Sequence, residues 1–383
     1  MRRRAAYLAP CLPLALLCAA CPDSKPSPPL ASASAAPAAA PRVIQTGELS
    51  APSAFELVAL PDGLRLLWAS AAPDAGWLYE AELAHDGTLR GKPRRIAVPA
   101  RPLGKTTDLA AGYVGQQLAV AWLDQGKNEA RASASLIAGT EPPLVLDLGA
   151  AASSADSARG NIALVVERDQ KRALVMWRGL PAPCVEPESG PCVGFAFRRL
   201  RAGAAETMGL PLSVPVPCAS HSVQLGASAG RFHYGVCTRE GAEPVTTMFT
   251  IQSEPSYARA EPLLKGCLPL GTLDVGGSPW LIGDCHGKRK AVPVPLADEK
   301  VQAEYIDAPL MSCTPERAEL RQGRFVLDLR EPRGDLQAVL PPSLLPTGAR
   351  AGWTGKSLVV VYPSDGRLET RVLSCRDGRL ETR

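Results

Sequence analysis

From Arg42 onward the chain reads as short apolar runs punctuated by Gly, Pro and Asp, the pattern of an all-β protein. The clearest instance is Phe55 to Ser70, FELVALPDGLRLLWAS: an apolar run, a Pro-Asp-Gly turn and a second apolar run ending near Trp68. Its second half recurs as Leu118-Ala119-Val120-Ala121-Trp122 and Ala173-Leu174-Val175-Met176-Trp177. Fainter copies start at Phe232 (FHYGV), Pro279 (PWLIG), Phe325 (FVLDL) and Leu358 (LVVVY). Successive starts lie 54, 55, 59, 47, 46 and 33 residues apart. A tight turn precedes each, from Pro61-Asp62-Gly63 to Gln322-Gly323 and Thr354-Gly355. Each copy therefore reads as the second strand of a hairpin.

Runs such as LRLLW and LVVVY are apolar at successive positions, so both faces of those strands expect burial. Repeats of about 45 to 55 residues satisfy that need by stacking small antiparallel sheets radially. The first unit divides into four strands: FELVAL, LRLLWAS, WLYEAELA and TLRGKPRRIAV. By pattern, residues 42–383 resemble a β-propeller of about seven blades, without the motifs of the kelch or tryptophan–aspartate repeats. The short final spacing leaves room for a reduced sixth blade or a count of six or eight. A pair of β-sandwiches is the alternative fold.

The segment before this domain is of another kind. Arg2, Arg3 and Arg4 precede an apolar stretch, Leu8–Ala20, that is broken by Pro10 and Pro13 and short for a bilayer span. Residues 1–20 read as a signal peptide. Its end, Leu17-Cys18-Ala19-Ala20-Cys21, resembles the lipobox of bacterial lipoproteins, with Cys18 where leucine is usual. The resemblance implies lipidation of Cys21 and a membrane partner through the N-terminal lipid; an ordinary cleaved signal is the alternative. Residues 21–41, rich in Pro, Ala and Ser, read as a flexible tether with little to bury. Fully extended, it reaches at most about 70 Å.

Eleven cysteines occur, and with Cys11 and Cys18 in the leader and Cys21 lipidated, eight remain. An even number in an exported chain implies disulfides. Cys184 and Cys192 flank a Pro-rich loop and are expected to close it. Cys218 with Cys237, and Cys267 with Cys285, each join the start of a first strand to the end of a second, where antiparallel neighbours lie side by side. By elimination Cys313 pairs with Cys375, although the strand order expected from the repeat puts Cys375 at the opposite face. A zinc reading of Cys285-His286 requires reduced thiols and is disfavoured.

Composition and the remaining motifs narrow the function classes. Formal charge is +4, and the three leader arginines account for most of it, so nucleic acid is not an expected partner. Gly226-Ala227-Ser228-Ala229-Gly230 has the spacing of a nucleophile elbow, but a strand follows it where that elbow needs a helix. Gly355-Lys356-Ser357 reads as a turn before a strand, and the Asp-Gly pairs at 62, 86, 365 and 377 as turn chemistry. His221, His233 and His286 fall in or beside the cysteine-bearing repeats and would mark a site only if they met near the ring axis. Carboxylates are too dispersed along the chain to nominate an acid/base pair. The expectation is a monomeric, lipid-anchored, non-catalytic binding or scaffold module of the periplasm or cell surface, with an envelope protein or glycan as partner and no cofactor or metal. Glu186 and Glu188, in the enlarged loop after Arg178, are its interaction candidates. A carbohydrate-active hydrolase or lyase with a site at the central channel is the rival reading.

Overall fold

The computed structural model describes residues 42–44, 52–70, 77–96, 105–126, 129–138, 145–152, 161–166, 172–180, 192–201, 208–217, 224–227, 232–239, 245–252, 258–275, 278–293, 304–306, 311–314, 317–320, 325–328, 343–346 and 348–383, with Pro143, Leu336 and Leu340. All fall within one compact unit, Ala38–Arg383; the expected leader, Cys21 and most of the tether lie outside the described residues.

Every extended element belongs to an antiparallel sheet, and consecutive strands of the chain are neighbours within each. The first sheet is β2 (Pro52–Leu60), β3 (Gly63–Ser70), β4 (Leu78–Leu83) and β5 (Leu89–Arg95), the division expected from the sequence. The second holds β6 (Lys105–Val114), β7 (Gln117–Gln125), β8 (Ala130–Ile137) and β9 (Val145–Ala151). The third is β10 (Ile162–Val166), β11 (Arg172–Arg178), β12 (Cys192–Arg201) and β13 (Met208–Pro217). The fourth is β14 (Gln224–Ala227), β15 (Phe232–Arg239), β16 (Val245–Gln252) and β17 (Ala258–Lys265). The fifth is β18 (Leu268–Val275), β19 (Ser278–Cys285), β20 (Lys288–Pro293) and β21 (Glu304–Ile306). The sixth has three strands among the described residues: β22 (Met311–Thr314), β23 (Arg317–Leu320) and β24 (Phe325–Asp328). The last combines β25 (Arg350–Trp353), β26 (Leu358–Ser364), β27 (Arg367–Arg376) and β28 (Arg379–Thr382) with β1 (Arg42–Ile44).

The sheets follow one another as a β-propeller. First strands touch in succession, β2 with β6, β6 with β10, β10 with β14 and β14 with β18, while β25 of the last sheet returns to β2. The second strands of the first, second, third and last sheets are buried on both faces, as their sequences demand. Leu67 and Ala69 of β3 meet Leu118, Val120 and Trp122 of β7, whereas Leu64, Leu66 and Trp68 meet Val359 and Val361 of β26. The alternate residues of β7, Ala119, Ala121 and Leu123, pack with Ala173, Val175 and Trp177 of β11. Each Leu or Val side chain that passes from water into such a layer stabilises the fold by about 1.5–3 kcal/mol, and each alanine by less. The pair-of-sandwiches alternative is thereby set aside.

Closure uses both ends of the domain. β1 pairs antiparallel with β27 (Arg42↔Thr370, Ile44↔Leu368), so the N-terminal strand completes the last sheet. Gly352 lies so close to the first sheet that a Cβ there would sit 2.6 Å from Leu64 Cδ2.

Two expectations are corrected. Phe325–Leu329 is not the second strand of its repeat: β24 is the third strand of the sixth sheet, after two strands of four residues each. Hydrophobicity alone selected it, because the true second strand, Arg317–Leu320, is half charged. Cys375 also does not lie at a face opposite Cys313. β27 runs on past its pairing with β26, and the hairpin it makes with β28 meets β22, where the Cys313 N–H donates to the Gly378 carbonyl (2.9 Å).

Candidate functional site

The first strands of the first five sheets and of the last lie side by side around the inside of the ring, and three of them bring charge there. Glu56 on β2 stands opposite Leu67, and Arg350 on β25 stands opposite Val361. Each follows the same hairpin phase: Glu56 pairs with the residue before Trp68, Arg350 with the residue before Tyr362. Equivalent positions on adjacent inner strands come together, and Arg350 Nε reaches Glu56 Oε2 at 3.3 Å, with the side chains 30% and 19% exposed. Glu56 Oε1 accepts the Leu57 N–H at 2.9 Å. Burial raises the Glu56 pKa above its ordinary value, the Arg350 charge and the Leu57 N–H pull against that shift, and Asp108 adds to it.

Asp108 arrives through a bulge. The β6–β7 register shifts between Thr106 and Asp108, which turns the carboxylate toward the third sheet. There Oδ2 accepts the N–H groups of Asn161 (2.8 Å) and Ile162 (3.3 Å), and Oδ1 accepts the Leu109 N–H (3.0 Å). The residue is 2% exposed, and burial pushes its pKa up against the opposing Arg350 charge and the three N–H donors. Asp108 thus joins the first strands of the second and third sheets, as the Glu56–Arg350 pair joins those of the first and last. A second buried carboxylate, Asp124, accepts the Trp122 indole N–H (2.9 Å) and the Thr106 hydroxyl (3.1 Å), tying the hairpin β6–β7 together.

Chemically, the axis presents two carboxylates biased toward protonation and one guanidinium. Both oxygens of each carboxylate already hold a donor, so the arrangement acts first as a stitch between inner strands. The sequence reading missed this group. The available signal was a charged residue inside an otherwise apolar first-strand run, in FELVAL and in DLAAG.

The residues singled out from the sequence are dispersed. Cys267 and Cys285 form a disulfide (Cα–Cα 4.2 Å) one step beyond the Leu268↔Asp284 pair, at the start of a first strand and the end of a second. Cys313 and Cys375 form another (Cα–Cα 5.7 Å), linking the sixth sheet to the last rather than closing one hairpin. Cys184, Glu186, Glu188 and Cys218 lie outside the described residues; Cys192 and Cys237 fall on β12 and β15, their side chains undescribed. The same holds for His221 and for the side chain of His233. His286 is exposed on the β19–β20 turn, in the left-handed region (φ 57°), with its ring beside Gly266. The G-x-S-x-G stretch runs from the end of β14 toward β15, so strands flank it on both sides. Gly355-Lys356-Ser357 is the β25–β26 turn, closed by the Thr354 N–H on the Ser357 carbonyl, with Gly355 at φ +86°. Among the described residues, no three His, Cys, Asp or Glu side chains gather as a metal site.

Neither a protein-family model nor a curated protein matches the chain. Solved structures resemble it at low identity. A putative 6-phosphogluconolactonase from Bacteroides fragilis is 12% identical over 84% of this chain and 94% of its own, with a TM-score of 0.44. A subtype N10 neuraminidase-like protein from a little yellow-shouldered bat isolate is 8% identical over 87% and 97%, TM-score 0.38. The GH32 β-fructofuranosidase of Bombyx mori is 8% identical over 74% and 63%, TM-score 0.33. At these values the likenesses bear on neither activity nor ligand.

Proposed function

We propose that this chain is a lipid-anchored envelope protein whose seven-bladed propeller works as a non-catalytic binding or scaffold module. The observation that carries this reading is the axis itself: Glu56 and Asp108 are engaged by Arg350 and by backbone N–H groups of neighbouring strands. The axial carboxylates are spent on holding inner strands together, and recognition falls to loops at the ends of the sheets. Glu186 and Glu188, in the loop after Arg178, are the interaction candidates for an envelope protein or glycan. The disulfides Cys267–Cys285 and Cys313–Cys375 favour an oxidising compartment outside the cytoplasm. The leader, Cys21 and the Pro/Ala/Ser tether favour export followed by lipid attachment, with the tether holding a monomeric domain clear of the membrane.

Two measurements test this. Metabolic labelling with a radioactive fatty acid marks the wild-type chain and not Cys21→Ala; equal labelling of both removes the lipidation reading. Pull-down with the intact ectodomain captures a partner that is lost when residues 181–190 are replaced by a short Gly-Ser linker; undiminished capture removes the loop assignment. The rival reading, a carbohydrate-active hydrolase or lyase at the axis, draws on the raised pKa values of Glu56 and Asp108 beside a guanidinium. Turnover of a glycan panel by the wild type that Glu56→Gln abolishes would favour it over the binding module.

A further inference from the structure

Where the ring closes, the first and last sheets enclose a cavity of about 350 Å³ that neither the axis nor the loop after Arg178 includes. One rim is the β4–β5 turn, with His85 and Asp86; the other is the β25–β26 turn, with Lys356 and Ser357. Thr370 and Val372 of β27 form the floor, and Arg383 borders it.

The rims are fixed to each other. His85 Nδ1–H donates to the Thr354 carbonyl at 2.9 Å, and the Ser357 hydroxyl donates to the His85 carbonyl. Because Nδ1 carries the proton of the neutral ring, Nε2 is left as its acceptor. Gly87, at φ +76°, lets the β4–β5 turn rest on Thr370, whose Oγ1 would lie 3.2 Å from a Cβ there. A cavity whose walls are already held together costs little ordering when a ligand enters.

Its side chains carry two positive charges against one negative. Lys356 and Arg383 contribute an ammonium and a guanidinium, and among the described residues neither has an ion-pair partner. The carboxylate side chain in the lining, Asp86, is engaged within its own loop through Oδ1, which accepts the Thr88 N–H (3.1 Å) and the Thr88 hydroxyl (2.6 Å). The two cationic donors suit an oxyanion, and the Ser357 oxygen, whose own proton goes to the His85 carbonyl, can accept from a hydroxyl on the body that carries it. The volume lies at the small end of ligand pockets, enough for a monosaccharide-sized molecule.

We propose that this seam cavity binds a small oxyanion-bearing ligand of monosaccharide size, with Lys356 and Arg383 holding the anion. A carboxylate and a phosphate share that chemistry. Since the walls belong to the first and last sheets, the bound ligand also clamps the closure of the ring and raises the unfolding temperature.

Calorimetric titration of the full chain at low ionic strength, with glucuronate, glucose 6-phosphate, inorganic phosphate and glucose, tests this together with thermal unfolding. The expected result is saturable binding of at least one of the three anions, none of glucose, and a higher unfolding temperature with that anion. Glucuronate alone identifies a carboxylate; the phosphate compounds alone identify a phosphate. Lys356 is exposed, so Lys356→Gln folds, and it weakens binding roughly tenfold, the loss of one charge-assisted contact. Lys92→Gln, an exposed lysine of the outer strand β5, leaves binding unchanged. Absence of saturable binding by every anion up to about 10 mM, weaker than any useful affinity, overturns the proposal. So does binding of equal strength in wild type and Lys356→Gln, which is general surface attraction.

Discussion

Replacing Arg350 by methionine removes the cation from the axis while keeping a side chain of similar reach. At 3.3 Å the Arg350–Glu56 attraction is about 5 kcal/mol gross at the effective dielectric of a protein site. Much of it offsets the cost of desolvating both groups. Breaking a fully buried pair costs about 3–5 kcal/mol, and with Glu56 19% exposed the net loss is about 2 kcal/mol where Glu56 is ionised. The pH dependence identifies the cause. Glu56 and Asp108 have folded-state pKa values above their unfolded ones, so their contribution is fully present below the unfolded value and is lost as pH rises through the folded value. Arg350 is the strongest influence pulling both values back down. Its removal pushes both higher and deepens the loss on the alkaline side. In urea denaturation, Arg350→Met differs least from wild type near pH 3, below the ordinary values of both carboxyls (4.5 and 3.8), and the deficit grows toward about 2 kcal/mol as pH rises and Glu56 ionises. Adding Glu56→Gln cancels the Glu56 share. A deficit that is constant from pH 3 upward, or that shrinks as pH rises, refutes electrostatic stitching and leaves only lost packing.

Three further perturbations probe the same frame. Replacing both members of Cys267–Cys285 by serine reopens an 18-residue loop and lowers stability by about 3 kcal/mol, whereas Cys313–Cys375 spans 62 residues and costs about 4 kcal/mol; urea midpoints rank the two. Gly352→Ala drives a methyl against Leu64, which is fully buried and has no room to retreat, so overpacking lowers stability by about 1–3 kcal/mol; an unchanged melting temperature contradicts that contact. Asp124→Leu strands the Trp122 indole N–H and the Thr106 hydroxyl without their acceptor, and calorimetry registers a loss of about 2–4 kcal/mol.

The parts of the fold legible in the sequence are those with a local cause. Pro61-Asp62-Gly63 separates two apolar runs that pair across it, and the first sheet follows with its strands where the pattern places them. The repeated Asp-Gly dipeptides at 365 and 377 supply two successive left-handed residues (φ 46° and 75°, then 49° and 74°), so each turns a tight hairpin in the last sheet. The spacing of Cys267 and Cys285 carried the strand register directly into a disulfide. The sixth sheet failed this test because its strands are four residues long, too short for apolar runs to distinguish second from third.

By itself, then, the sequence determined hairpins, turn chemistry and strands buried on both faces, since each depends on residues a few positions apart. Only the tertiary structure decided how the ring shuts: β1 pairs with β27, Gly352 seats against Leu64, and the β27–β28 hairpin lies beside β22, where the Cys313–Cys375 bond expected by elimination forms. It also decided what faces the axis. Glu56 and Arg350 are 294 residues apart, and no local pattern relates them. They meet because the same strand position recurs around a closed circle, bringing the first repeat and the last side by side.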